Sequence, residues 1–174
     1  MNVLEPVGAE HEDALLDFEV ANRAYFSRSI SDRGDDYFAS FTHRHRQLLQ
    51  RQDAGDAACY VLVDDDGVVL GRFNLTFTGD GVAEVGYRVA ESAAGRGVAT
   101  AGVRELCRLA AGRHGIEKLR AATSHANVAS QRVLLKAGFA LLGPADPSAI
   151  GGKQGSWYEL DLGPPPVHSP PDRT

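Results

Sequence analysis

The residues of this sequence that most suggest chemistry are Gly95 and Gly97, which flank Arg96 between a strand-like run ending near Val89 and a helical pattern opening near Val98. The first N–H groups of a helix lack intrahelical partners and carry a partial positive charge, so a glycine turn there is a natural seat for a phosphate. Arg96 would add a charged hydrogen bond. The same glycines also fit a plain strand-to-helix turn with Arg96 in solvent, and they alone do not decide between the two.

Two common nucleotide-binding motifs do not fit this segment. A Walker loop needs a Lys followed by Ser or Thr, and the sequence contains no such pair. A dinucleotide fingerprint needs a third glycine where this chain has Thr100, and the next predicted strand ends in Thr123 and Ser124 rather than in a ribose-binding acid. A phosphate seat here would therefore serve another kind of ligand.

The elements that must position this turn alternate between helices and strands. Amphipathic patterns predict the helices, and short apolar or alternating runs predict the strands. The predicted strands are 3–7, 57–63, 68–78, 82–89, 118–123, 139–142 and 156–162, and the predicted helices are 11–25, 35–52, 98 to 112 or 115, and 127–137. This order, β-α-α-β-β-β-α-β-α-β-β, predicts an α/β (α+β) fold with a mixed, mostly antiparallel central sheet flanked by helices.

Size and composition are those of one globular domain. The chain has 174 residues, of which 43% are hydrophobic, enough to bury a core. Its 18 basic side chains against 23 acidic ones give a net charge of −5, which argues against a protein that wraps nucleic acid. No stretch approaches the roughly 18 uninterrupted apolar residues of a membrane span, and residues 1–9 lack a secretory-signal pattern. We therefore expect a soluble, cytoplasmic protein that binds neither nucleic acid nor membrane.

Cysteines, turns and the chain end set further limits. Cys59 and Cys107 are too few for a disulfide framework or a four-thiolate zinc site, and their apolar surroundings predict buried, reduced thiols. Residues 64–67 form a hairpin-turn pattern without the later Glu of a calcium loop, and no metal is expected. We expect a single domain at 1–162, followed by a proline-rich flexible tail at 163–174.

Four segments together make the sequence resemble the GCN5-related N-acetyltransferase (GNAT) family, and most closely its ribosomal-protein N-terminal acetyltransferase branch. They are AEVGY at 83–87, GRGVAT at 95–100, NVAS at 127–130 and KAGF at 136–139. The resemblance is strong over residues 57–162 and rests on element order before them. It implies the acyl-CoA N-acyltransferase fold. It also implies transfer of the acetyl group of acetyl-CoA to a primary amine of a small molecule or a protein N-terminus.

The resemblance also implies which residues contact acetyl-CoA. The family's pyrophosphate loop, Q/R-x-x-G-x-G/A, maps onto residues 94–99, where Ala94 removes a side-chain contact but leaves the backbone amides as a phosphate nest. The preceding strand would pair its backbone with the pantetheine arm. Asn127 would hydrogen-bond that arm, although Asn is also a good helix N-cap. The implied contacts are Tyr87, Arg88, Val89, Gly95, Arg96, Gly97, Val98, Ala99, Thr100 and Asn127.

Acetyl transfer to an amine needs a base for the ammonium proton, polarisation of the thioester carbonyl and a proton for the leaving thiolate. By the resemblance, Glu84 on the central strand is the candidate base, and a surface pair with an arginine such as Arg72 is its alternative. Ser130 is the candidate hydrogen-bond donor to the sulfur, with a surface hydroxyl as its alternative. Leu134 stands where another branch of the family has a Tyr that acts as the acid, so that role is vacant.

The sequence does not choose the acceptor. In the family the first two helices wall the acceptor pocket, where Asp35 and Asp36 would attract a cation or merely cap a helix, and the loop at 143–155 would close over the site. Replacements such as Ala94 and Ala122 leave a non-catalytic acyl-CoA-binding or sensing module as the alternative function. The resemblance also implies a homodimer, although no surface stripe of the sequence points to one.

Overall fold

A seven-stranded sheet runs through the part of the chain that the computed structural model describes, residues 3–165. The strands are β1 (Leu4–Pro6), β2 (Ala57–Val63), β3 (Val69–Gly79), β4 (Val82–Val89), β5 (Lys118–Ser124), β6 (Ala140–Ala145) and β7 (Gly155–Asp161). Their order is β1-β2-β3-β4-β5-β7-β6, and every neighbouring pair described is antiparallel except β4 with β5. The predicted mixed, mostly antiparallel sheet is confirmed. Most of the predicted tail, 166–174, lies outside the described residues.

The helices within residues 3–165 are α1 (Glu12–Ala21), α2 (Arg23–Phe26), α3 (Asp35–Ala39), α4 (Phe41–Asp53), α5 (Val98–Gly112) and α6 (Val128–Lys136). Each of the two helices predicted in the first third is broken in two, at Asn22 and at Ser40. The Asn22 side chain donates to the Phe18 carbonyl and the Ser40 hydroxyl to the Asp36 carbonyl. Such bonds back to the preceding turn compete with helix continuation. No helix in this part of the chain is both long and apolar enough to cross a membrane.

Strand alternation separates two apolar layers, one on each face of the sheet. Phe73 and Leu75 of β3 belong to the larger layer, beneath α5 and α6, and both are fully buried. Val61 of β2 belongs to the other layer, beneath α1 and α4. Cys107 lies in the first layer and Cys59 in the second, and both are buried free thiols, as predicted.

The parallel pair in the middle of the sheet is short, and this feature positions the site. The register of β4 with β5 runs from Val82 opposite Lys118 to Glu84 opposite Arg120. Beyond that point β4 continues beside β3, and β5 continues beside β7 to Ser124. The carboxyl-terminal halves of β4 and β5 therefore diverge and leave an opening in the sheet.

Helix α5 lies so close to β3 that a side chain at Gly102 would overlap the ring of Phe73. That ring is fully buried and cannot move aside. We predict that Gly102→Ala lowers the free energy of unfolding by about 1–3 kcal/mol, the usual effect of overpacking a core, as measured by urea denaturation.

Gly112, the last residue of the same helix, provides the control. A Cβ there would have no atom within 4 Å, so Gly112→Ala should leave stability unchanged or raise it by up to about 1 kcal/mol. Equal effects of the two substitutions would contradict the tight contact between α5 and β3.

Candidate active site

The opening between β4 and β5 leads into two adjoining cavities, each of about 330 Å³. We call the first the α5 groove; its lining includes the turn before α5, the end of β4 and one side of α6. We call the second the β5 cavity; its lining includes the end of β5, the segment between α2 and α3, and the loop between β6 and β7. The residues that line both are Ser29, Ile30, Tyr87, Arg88, Asn127 and Ser130. The two cavities therefore meet at these side chains.

The turn before α5 presents backbone N–H groups to the α5 groove. Gly95 and Gly97 have φ of +73° and +76°, values that favour glycine, and a Cβ on either would meet no atom within 4 Å. The first helical hydrogen bond runs from Ala101 N–H to Gly97 C=O at 3.0 Å. The N–H groups of residues 98–100 therefore have no acceptor within the helix. The turn is an open cradle of amides at the positive end of a helix, suited to an anion.

Positive residues line the α5 groove, but Arg96, the one predicted at the phosphate seat, is not among them. Arg132 and Lys136, one turn apart on α6, line it. The Arg96 side chain does not; it lines a separate hollow with Leu4 and Glu105. The other nine predicted contact residues all line the groove. The four-residue spacing of Arg132 and Lys136, after Asn127, was the available signal for this second set of cations.

The diverging half of β4 turns backbone groups toward the opening. Ala90 N–H donates to Leu70 C=O of the β3 side at 2.8 Å. Because backbone groups alternate along an antiparallel strand, those of Val85, Tyr87 and Val89 face the other way, toward β5. The last pair with β5 is Glu84 with Arg120, so the groups of Tyr87 and Val89 lie beyond the pairing. An extended chain with amide groups could therefore pair with this edge.

Tyr87 and Ser130 form a hydrogen-bonded pair where the two cavities meet. The Tyr87 hydroxyl lies 2.8 Å from Ser130 Oγ and donates to the Ser130 carbonyl at 3.3 Å. Burial raises the pKa of Tyr87 to about 12, against the opposing effect of the Ser130 hydrogen bond, so the phenol stays protonated near neutral pH. The sequence pointed to the backbone of Tyr87 alone. Its hydroxyl was missed because strand alternation does not show which helix residue a strand side chain meets.

Asn127 caps helix α6, as its type suggested. Its Oδ1 accepts the N–H of Ser130 at 3.2 Å. Within the described residues its side-chain amide donates no hydrogen bond, and the residue lines both cavities. The N-cap and a ligand contact are therefore compatible, because they use different atoms of the side chain.

Glu84 lies outside both cavities. It is exposed and is the last residue of β4 in register with β5, opposite Arg120. It shares a face of β4 with Gly86, which lines the β5 cavity, and residues two apart on a strand are separated by about 7 Å. Arg72, the alternative partner considered for it, instead bonds Glu19 at 3.1 Å. The structure thus brings Ser130 to the junction of the cavities but keeps Glu84 at its margin.

A buried ionic cluster lies beside the β5 cavity. Glu19 of α1, only 1% exposed, accepts hydrogen bonds from Arg33 at 3.0 and 3.2 Å, from Arg72 at 3.1 Å and from Arg88 at 3.3 Å. Three guanidinium groups on one carboxylate leave a surplus of two positive charges. Burial, with the charge of Arg33 next in effect, lowers the pKa of Arg88. Arg33 and Arg88 also line the cavity, and no acid is among its described lining residues.

A bridge closes over the β5 cavity. The Lys153 ammonium donates to the Ser29 carbonyl at 3.1 Å, and the Ser31 hydroxyl donates to the Gly151 carbonyl at 3.2 Å. These bonds join the β6–β7 loop to the segment between α2 and α3, and both stretches line the cavity. Two segments that are about 120 residues apart in the sequence therefore meet at the wall of the cavity.

Comparisons with known proteins concern the family and the fold. A family model described as the acetyltransferase (GNAT) domain matches residues 3–140. A ribosomal-protein-S5-alanine acetyltransferase from Vibrio fischeri has a TM-score of 0.82 at 18% identity, over 91% of this chain and 92% of that one. RimJ from Mycobacterium smegmatis, in complex with CoA-disulfide, has a TM-score of 0.80 at 21% identity, over 91% of this chain and 80% of that one.

A more distant match has the same fold. The spermidine N-acetyltransferase of Vibrio cholerae, in complex with CoA and spermine, has a TM-score of 0.77 at 14% identity, over 92% of this chain and 95% of that one. No curated protein matches the sequence. At these identities the structural likeness shows the fold. The likeness extends over nearly the whole of this chain and most of each neighbour.

The ionic cluster generates a stability prediction. Glu19→Gln should lower the free energy of unfolding by about 3–5 kcal/mol, because it leaves buried guanidinium groups without their carboxylate. Glu105→Gln is the control, since it breaks an exposed pair with Arg108 at 2.7 Å and should cost much less. Urea denaturation at neutral pH measures both. Similar losses would mean that the cluster does not anchor α1 to the sheet.

Proposed function

The chain belongs to the GNAT acetyltransferase family, and from this premise we propose that it transfers the acetyl group of acetyl-CoA to a primary amine at the junction of the α5 groove and the β5 cavity. The observation that carries the proposal is this junction: a groove with an amide cradle at one end meets a second cavity at Tyr87 and Ser130. Two substrates can enter from opposite sides and meet there. The family resemblance and the fold that the sequence predicted are confirmed.

The α5 groove fits acetyl-CoA in three respects. The amides of residues 95–100 suit a pyrophosphate, and Arg132 and Lys136 add positive charge beside it. The free edge of β4 at Tyr87 and Val89 suits the two amides of pantetheine. The side-chain amide of Asn127 is available to hydrogen-bond the same arm. Bound there, acetyl-CoA supplies the activated thioester.

The hydroxyl pair serves the leaving sulfur. In the transfer, a bond forms between the amine nitrogen and the acetyl carbon, and the bond from that carbon to sulfur breaks. The Tyr87 hydroxyl lies 2.8 Å from Ser130 Oγ and 3.3 Å from the Ser130 carbonyl oxygen, so its single hydrogen is directed at Ser130. With Tyr87 as the donor of the pair, the hydroxyl hydrogen of Ser130 remains for the developing thiolate. We assign Ser130 as the residue that donates a hydrogen bond to the sulfur and Tyr87 as its partner. The proton that the amine loses on forming the new bond reaches the sulfur through solvent.

Glu84 is proposed as the group that receives the ammonium proton. It sits at the mouth of the opening, about one strand repeat from Gly86, so the proton reaches it through water. A backbone N–H of the diverging part of β4 polarises the carbonyl.

A cytoplasmic location is proposed from the thiols. Cys59 and Cys107 lie on opposite faces of the sheet, and burial raises the pKa of Cys107 to about 11. Both are therefore poor nucleophiles that suit a reducing compartment.

The protein should release thiol from acetyl-CoA when primary amines are supplied. A panel of amino acids, polyamines, aminoglycosides and N-terminal peptides, followed with a thiol reagent, tests this. Binding of CoA without thiol release on any member would support the non-catalytic acyl-CoA-binding or sensing module instead.

The hydroxyl pair makes a sharper prediction. Ser130→Ala and Tyr87→Phe should each lower kcat by about 10–100-fold, the value of a hydrogen bond to a charged group, with little change in KM for acetyl-CoA. Because the two act through one hydrogen bond, the double variant should lose little more than either single one.

Tyr60→Phe is the matched control, since the Tyr60 hydroxyl bonds His114 at 2.6 Å away from both cavities. It should leave kcat unchanged. Additive losses in the Ser130 and Tyr87 double variant would show that the two hydroxyls act separately.

Glu84 is tested by the pH dependence of the rate. Glu84→Gln should slow the reaction most at low pH, where the free amine is scarce and a base is needed most. Glu117→Gln, also an exposed carboxylate outside both cavities, should leave the pH profile unchanged. A Glu84→Gln profile parallel to that of the unsubstituted protein would remove Glu84 from the role of base.

A further inference from the structure

We propose that the acceptor is a small primary amine that also carries an anionic oxygen group, a carboxylate or a phosphate, and that Arg33 and Arg88 bind this anion in the β5 cavity. The inference rests on the proposed function, because it names the substrate class of that site.

The charge of the cavity carries the argument. Arg33, Arg88 and Lys153 line it, and its described lining includes no Asp or Glu. The nearest carboxylate, Glu19, is shared by three arginines and is already outnumbered. A second cationic group on the acceptor would be repelled here, whereas an anion would balance the surplus.

The arginines retain donors for such an anion. Arg33 uses Nε and Nη2 on Glu19, and Arg88 uses only Nη1. Behind them, Arg72 Nε is buried without a partner among the described residues. Guanidinium groups bind carboxylate and phosphate oxygens through paired N–H donors, so a second anion fits the geometry they have left.

The same cavity holds groups suited to the amine. Asn74 Oδ1 and Ser124 Oγ are buried and lack hydrogen-bond partners among the described residues, and both residues line the cavity. Asn74 lies opposite Gly86, and Arg72 lies opposite Arg88. The backbone positions of Asn74 and Arg72 are therefore about 7 Å apart on one face of β3, and the acceptor atom for an amine lies on the same face of the sheet as the Arg88 donors for an anion.

The bridge over the cavity favours a free small molecule. Lys153 and Ser31 tie the β6–β7 loop to the segment before α3, and the cavity volume of about 330 Å³ is at the lower end for small-molecule sites. An amino acid fits within this volume, whereas a protein N-terminus would extend beyond it.

Equilibrium binding in saturating CoA tests the inference without requiring turnover. The probes are L-amino acids beside their amides, O-phosphoethanolamine beside ethanolamine, and spermidine, measured by calorimetry. At least one anionic amine should bind about tenfold or more tightly than its neutral counterpart, the value of one charge-assisted contact. The amino acids and the phosphate ester show which anion is preferred.

Variants locate the preference. Arg33→Gln should remove the preference for anionic amines. Glu19 would still accept hydrogen bonds from Arg72 and Arg88, so the fold should persist. Lys153→Gln, which lines the cavity without touching Glu19, is a second variant and should weaken the preference. Arg108→Gln, an exposed arginine on α5, should leave it unchanged.

The inference is overturned if spermidine or the neutral amines bind as tightly, if no anionic amine binds, or if Arg33→Gln retains the preference. Thiol release distinguishes this failure from that of the proposed function. An anion preference without thiol release on any amine would contradict the enzyme alone. Thiol release confined to neutral amines or polyamines would support the enzyme and contradict the anionic acceptor.

Discussion

The early end of the pairing between β4 and β5 is the constraint on which the rest of the site depends. A backbone N–H or C=O that loses its partner in the interior is costly. Here each strand keeps its other neighbour, β3 for β4 and β7 for β5, so the sheet stays intact while its centre opens. The backbone groups freed at Tyr87 and Val89 are then available to a ligand. The same divergence makes room for Tyr87 to meet Ser130 across the gap.

The cluster around Glu19 is the second organising interaction. It joins α1, the segment before α3, and strands β3 and β4 through hydrogen bonds from three arginines. Such a buried cluster adds little net stability, but it requires its charged groups to be held in well-defined positions. It fixes Arg33 and Arg88 at the wall of the β5 cavity. An element of the core thereby determines the electrostatic character of the site.

Short-range sequence patterns predicted the features of this structure that depend on neighbouring residues. The alternation of β4, the glycines before α5 and the cap at Asn127 all appear where the sequence placed them, because each depends on neighbouring residues. The breaks at Asn22 and Ser40 could not be seen from apolar spacing, since they arise from side-chain bonds to the backbone.

Long-range contacts escaped sequence reasoning for a different reason. In the sequence, Glu19 is typical of an exposed position on an amphipathic helix. The residues around it in the sequence do not indicate that Arg33, Arg72 and Arg88 are its partners. The Arg96 side chain was expected at the phosphate seat because of its position in the chain, but the chain direction through the glycine turn places it beside β1. The topology of the sheet determines both the partners of Glu19 and the position of the Arg96 side chain. Proximity in the sequence determines neither.

The sign of charge at the site is opposite to that of the whole chain, and this bears on the chemistry. The net charge is −5, yet among the described residues that line the α5 groove and the β5 cavity there are cations and no acids. A positive environment lowers the pKa of a bound ammonium and so favours the neutral amine, which is the nucleophile. A carboxylate on the acceptor would cancel half of the surplus of two, and a phosphate would cancel most of it. Positive charge that remains lowers the pKa of the bound ammonium and so assists the deprotonation for which Glu84 is the proposed base.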